Sequence, residues 1–120
     1  MNAFVPAARI FLILAVGLFA TQSIAMDFVE AAPNQTKVLV DNEKVRIIRA
    51  TFQAGDKVPM HSHPDIIVYI VKSGRVKFTN ADGKVTESNN KTGEVLYRPA
   101  VSHSQEHPEA SEAIVIELKK

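Results

Sequence analysis

Apolar residues along most of this chain come in short runs, either alternating with polar residues or unbroken and β-branched. Turn formers (Gly, Pro, Asn, Asp and Ser) separate the runs. Alternation predicts a strand with one buried face, and an unbroken run predicts one buried on both. Lys37 to Val40 is the first run, and Val45 to Phe52 follows across Asp41-Asn42. Ile66 to Lys72 (IIVYIVK) is almost wholly apolar and stops at Ser73-Gly74, so it is expected to be buried on both faces. Arg75 to Thr79 lies at hairpin distance, and Asn80-Ala81-Asp82-Gly83 is a turn carrying an Asp-Gly signal. Val85 to Ser88, Glu94 to Arg98, Ser102 to His107 and Ala113 to Leu118 complete the set. Asp27 to Thr36 reads as an irregular lead-in with a turn at Pro33-Asn34. No helical period extends over ten residues beyond it. Short strands punctuated in this way predict an all-β sandwich or barrel in a single domain.

One apolar run does not fit that scheme. Ile10 to Ala20 is uninterrupted, follows a segment whose only charge is Arg9, and precedes small residues at Ser23 and Ala25. That order is the one of a secretory signal peptide, residues 1–25, cleaved to leave Met26 first. The run is too short to span a bilayer, which takes about 20 residues. The expected product is periplasmic or secreted, without a stable membrane anchor, and consists of a lead-in over 26–36 and a β-barrel domain over 37–120.

Charge and composition remove several function classes. The 14 basic and 13 acidic residues are scattered, with no basic stripe, which argues against nucleic acid as a partner. There is no cysteine, so disulfides and thiolate metal sites are excluded. A metal would need His, carboxylate, amide or water.

The chemistry is concentrated in two glycine-led segments. The first runs from Gly55 through Pro59 to His61-Ser62-His63, and the second from Gly93 through Pro99 to His103. In a strand, residues two apart share a face, so His61 and His63 present their rings to one side. Gly55, Gly74 and Gly93 read as turn residues with positive φ. Phe52 and Phe78 read as core.

These segments resemble the two motifs of the cupin superfamily. The first has the family's glycine, five residues, the His-x-His pair and the closing glycine at Gly74. The second has the glycine, five residues, proline and then histidine, one residue shorter than usual and without the glycine after Pro99-Ala100. The resemblance implies a single cupin-type β-barrel (a double-stranded β-helix, or jelly roll) with His61, His63 and His103 as metal ligands. The family's glutamate ligand falls at Ile67 or Val68, and its asparagine at His107. The carboxylate is therefore lost. A three-histidine site suits Fe, Zn, Mn, Ni, Cu or Co and leaves coordination positions open. It keeps the full charge of the ion and should favour an anionic or chelating small molecule. Some cupin dioxygenases use such an iron site.

Other side chains near the motifs carry two readings each. Tyr69, on the face of His63 by parity with Ile67 and Val71, either orients a metal-bound species or packs in the core. Gln105 is a weak ligand or a donor to substrate. His107 lies close to the substrate or, as preferred here, on the rim before Pro108. Asp65 is read as a solvated loop acid and Arg98 as a surface residue. The expected function is a metal-dependent oxygenase or related enzyme, with a non-catalytic metal- or small-ligand-binding cupin as the alternative. A metal-free dimerising module is a third reading. A homodimer is expected by analogy with other cupins.

Overall fold

A computed structural model describes residues 26–120, and the segment expected to be a signal peptide, residues 1–25, lies outside the described residues. Ten strands form two five-stranded sheets. The first sheet has the order β1 (Met26–Asp27), β4 (Lys57–His63), β9 (Val101–Glu106), β6 (Val76–Asn80), β7 (Val85–Ser88). The second has the order β2 (Thr36–Asp41), β3 (Val45–Phe52), β10 (Ser111–Leu118), β5 (Ile66–Lys72), β8 (Val95–Arg98). All pairings are antiparallel except β1 with β4. The architecture is all-β, as the strand pattern predicts, and is the jelly roll that the cupin resemblance implies.

The core is a layer between the sheets. Val58 comes from the first sheet, while Ile48, Ala50, Phe52, Ile66 and Val115 come from the second. Phe28 and Ala32 close one side of it. They belong to the segment expected to be an irregular lead-in, which is instead built into the domain. Met26 and Asp27 pair with His61 and Ser62 of β4. Asp27 then caps a one-turn helix, α1 (Phe28–Ala31), by accepting the Val29 amide at 3.0 Å. A helix of four residues has no period to display, which hid it in the sequence.

β5 also differs from expectation. Ile66, Val68 and Ile70 face the interior, whereas Tyr69 is 42 % exposed on the outer face. An unbroken apolar run carries no two-residue period, so its outer row was invisible. Pro64-Asp65 form a corner between β4 and β5, and the inward parity of His63 is not carried across it. Tyr69 therefore points away from the histidines, and the metal-site candidacy given to it is withdrawn.

The glycines divide into two kinds. Gly55 and Gly93 have φ of 92° and 88°, as their turns require. Gly74 does not have a positive φ. It is needed for close approach, since a Cβ there would stand 2.3 Å from the Ala110 carbonyl oxygen.

Candidate metal centre

β4 and β9 bring the three histidines together. Their pairing is shifted between Val58 and His61, where β4 carries one residue more than β9. That bulge falls at Pro59-Met60, where proline has no amide to lose from the ladder. It lets Val58 and His61 both point inward and sets His61 directly opposite His103. One ligating atom from each of His61, His63 and His103 lies within 4.8 Å of the others, and all three side chains are buried.

The ring protons can be followed. His61 Nδ1 is 2.8 Å from the Pro59 carbonyl, which can only accept, so the proton sits on Nδ1 and Nε2 presents a lone pair. His61 Nε2 is 2.9 Å from His63 Nε2. Two nitrogens bound at right angles to one ion at about 2.1 Å stand roughly 3.0 Å apart. Burial, only partly opposed by the Pro59 bond, lowers the His61 pKa to about 4. Burial and the neighbouring His63, His61 and Arg98 lower that of His103 to about 3. Both rings are neutral at physiological pH, the form that ligates a metal.

Behind His63 stands a carboxylate that the sequence reading missed. Glu117 of β10 is 4 % exposed, and its Oε2 lies 3.6 Å from His63 Nδ1. These two atoms are the buried side-chain polar atoms without a hydrogen-bond partner among the described residues. A cation on His63 Nε2 would leave the ring proton on Nδ1, facing Glu117, and so would satisfy both atoms. Metal-bound histidines commonly have a carboxylate in that position. The donor set therefore fits a metal. Glu117 also accepts from Arg46 Nε, and Arg46 in turn donates to Asp27. Burial raises the Glu117 pKa, but the nearby His63 and the bond and charge of Arg46 outweigh it and leave the pKa lowered. The signal was present in the alternation: Val115 faces inward, so Glu117 does too, and Arg46 shares a face with Ile48.

Aromatic rings hold the imidazoles. Phe28 stacks on His61 at 5.0 Å and lies 4.7 Å from His63, while Phe78 lies 4.8 Å from His103. His107, expected at the rim, is 3 % exposed and stacks on Phe52 at 3.7 Å. Burial lowers its pKa to about 4. Its Nε2–H donates to Gln105 Oε1 at 3.0 Å, and the Gln105 amide nitrogen faces His61 and His103. Gln105 and His107 thus form a buried polar row beside the cluster. Asp65 accepts the Ala100 amide in a loop, as expected of a loop acid, and is not among the ligating residues.

A cavity of about 90 Å³ opens beside His63, His103 and Gln105. Its walls are mostly apolar, with Val68, Ile70, Phe78 and Leu96 among them. Val68, at one of the two alignments of the family glutamate, thus lines the chamber without offering a donor. Arg98, read from sequence as a surface residue, also lines it, with its guanidinium 5.8 Å from the centre of the Phe78 ring.

Neither family models nor curated proteins match this chain. Solved structures do. A cupin domain from Bordetella pertussis Tohama I is similar at 26 % identity and a TM-score of 0.66, covering 71 % of this chain and 92 % of that one. A cupin-superfamily protein from Desulfitobacterium hafniense DCB-2 has 21 % identity and a TM-score of 0.57, over 71 % and 76 %. An RmlC-like cupin with a double-stranded β-helix fold from Methanocaldococcus jannaschii has 23 % identity and a TM-score of 0.56, over 70 % and 78 %. With this fold, and with histidines at the motif positions of both glycine-led segments, the chain is a small cupin-superfamily protein.

Proposed function

We propose that this protein binds one divalent first-row metal ion through His61, His63 and His103 and receives a small anionic or chelating ligand in the adjoining chamber. The observation that carries this reading is the pair of partnerless buried atoms, His63 Nδ1 and Glu117 Oε2, aligned behind the cluster. Three imidazoles leave the charge of the ion uncancelled and coordination positions open. Arg98 adds a second positive charge at the chamber wall and has no ion-pair partner among the described residues. With Fe, Cu or Mn the bound ion would supply the redox chemistry of an oxygenase, and with Zn or Ni Lewis acidity. The protein's own part is to hold the ring protons on the outer nitrogens, exclude water with apolar walls, and orient an anion between the ion and Arg98.

The non-catalytic reading also has an observation in its favour. Glu112, beside the chamber, turns its carboxylate to Arg49 on the outer face of the second sheet at 3.4 Å, and Glu117 is engaged by Arg46. No free carboxylate stands beside the cluster among the described residues to serve as a general base. Oxygen consumption with small diketones, thiols or phenolic acids separates the two readings.

Metal content by mass spectrometry tests the proposal. Protein purified without chelator is expected to carry one equivalent, lost in His61→Ala/His63→Ala. No metal in the parent, even after reconstitution, would overturn it. We further propose that the protein is exported, with cleavage after Ala25, and that two copies pair. Mass analysis of protein from its native host, beginning at Met26, checks the first.

A further inference from the structure

We infer that Gln105 is a fourth protein donor to the ion proposed above, and that His107 answers its binding by exchanging one ring tautomer for the other. The inference rests on the three-histidine reading. Gln105 is 8 % exposed and leaves β9 on the face of His103. Its terminal nitrogen position lies 3.5 Å from His61 Nε2 and 3.3 Å from His103 Nε2. Two donors sharing an ion at about 2.1 Å with a tetrahedral angle stand roughly 3.4 Å apart. The end of Gln105 therefore keeps co-ligand distance from two histidines at once, although 3.3 and 3.5 Å are long for hydrogen bonds.

The end that faces the histidines has the wrong polarity for a cation. An amide nitrogen offers hydrogens and no free lone pair, while the oxygen offers two. The two ends are nearly isosteric, so a half-turn about the last side-chain torsion exchanges them without requiring room. After that turn the oxygen faces the ion and the NH2 faces His107. His107 can accept from it only if Nε2 is bare, so its proton must sit on Nδ1. Ser111 Oγ, 3.4 Å from that Nδ1, serves both arrangements, since a hydroxyl donates to a bare nitrogen and accepts from a protonated one. Phe52, nearly parallel to the ring at 10°, keeps its plane fixed throughout. No proton enters or leaves the site, and His107 remains neutral. The oxygen donor that cupins place on β5, where this chain has Ile67 and Val68, is supplied here by β9 as a neutral amide.

The test is long-range proton–nitrogen NMR of the imidazole rings during titration with zinc chloride, which is diamagnetic. His107 is expected to be Nε2–H before zinc and Nδ1–H at one equivalent. Gln105→Ala should bind zinc about tenfold more weakly and lose the tautomer change, while Gln105→Glu should bind more tightly than the parent. If His107 keeps Nε2–H with zinc bound, or Gln105→Ala binds as well as the parent, the inference is overturned and the three-histidine site stands. Should Gln105→Ala fail to fold, Gln105→Glu decides the ligand role, and unchanged affinity there overturns it. If zinc leaves the signals of His61, His63 and His103 unmoved, the metal site itself is wrong and the inference falls with it.

Discussion

Glu117 stands between two partners with opposite demands. Toward Arg46 it must be ionised, and toward His63 it calls for a proton on Nδ1, which leaves Nε2 bare for a metal. Glu117→Gln keeps the shape and removes the charge, so it should weaken metal binding by about 10- to 100-fold, read by competition with a chelator. Glu117→Ala leaves the half-buried Arg46 with Asp27 as its remaining ionic partner and should cost about 1–3 kcal/mol of stability by urea unfolding. Acid acts on the same residues. His61, His103 and His107 have pKa values lowered to about 4, 3 and 4. Below the unfolded value of about 6.5 the unfolded chain binds protons that the folded one refuses. Stability therefore falls as pH drops from 6.5 toward 4, by about 1.4 kcal/mol per pH unit for each such histidine. The lowered carboxyls of Glu117 and Asp27 add further loss below their unfolded values. Unfolding midpoints at pH 7, 6, 5 and 4.5 check the slope, which should be steepest below 6.5 rather than near 8.

At the scale of elements, the centre depends on one irregularity and one short turn of helix. The β4 bulge sets His61 opposite His103. Inserting one residue between Ser104 and Gln105 would pair the extra β4 residue and leave His61 three residues beyond Val58 in a regular ladder, on the opposite face, so metal content should fall to background. Phe28 reaches the centre from α1 and is 2 % exposed. Phe28→Ala should cost about 3–5 kcal/mol in stability, measured by thermal or urea unfolding, and loosen His61. These elements also show what a sequence can reveal. Most strands were legible because turn residues bounded them, with Val45–Phe52, Ile66–Lys72 and Val85–Ser88 at their observed ends. The clustered histidines were legible from their spacing behind Gly and Pro. Tyr69 was misplaced because parity was carried through the corner at Pro64-Asp65. Arg98 was assigned to the surface because a charge at a strand end has no pattern to place it. Glu117 went unnoticed because it lies outside both motifs, and its importance depends on β10 running between β3 and β5.

For the whole molecule, the outer face of the second sheet is the main unexplained surface. Ile116 lies between Ile47 and Ile67, and Ile67 is paired with Tyr97. The next row places Ile114 beside Tyr69, and Tyr69 beside Val95. Val95 and Tyr97 are 63 % and 62 % exposed. The charged neighbours Arg49 and Glu112 pair with each other, which leaves little for an oppositely charged partner and suits a second copy of the same face. Sedimentation should show a dimer at micromolar concentration and a monomer for Val95→Lys, and a monomeric parent would remove this face as the dimer interface. The same topology bears on how the proposed ion would be chosen. His61 and His63 come from β4, His103 from β9 some forty residues later, Glu117 from the last strand and Phe28 from the first turn. Almost the whole described chain must be in place before the three histidines converge, and their side chains end up buried. If the proposed ion enters as the site forms, the metals present where and when folding ends would bias what the site holds. The usual affinity ranking, in which copper outcompetes the other ions, would then share the outcome with location and timing.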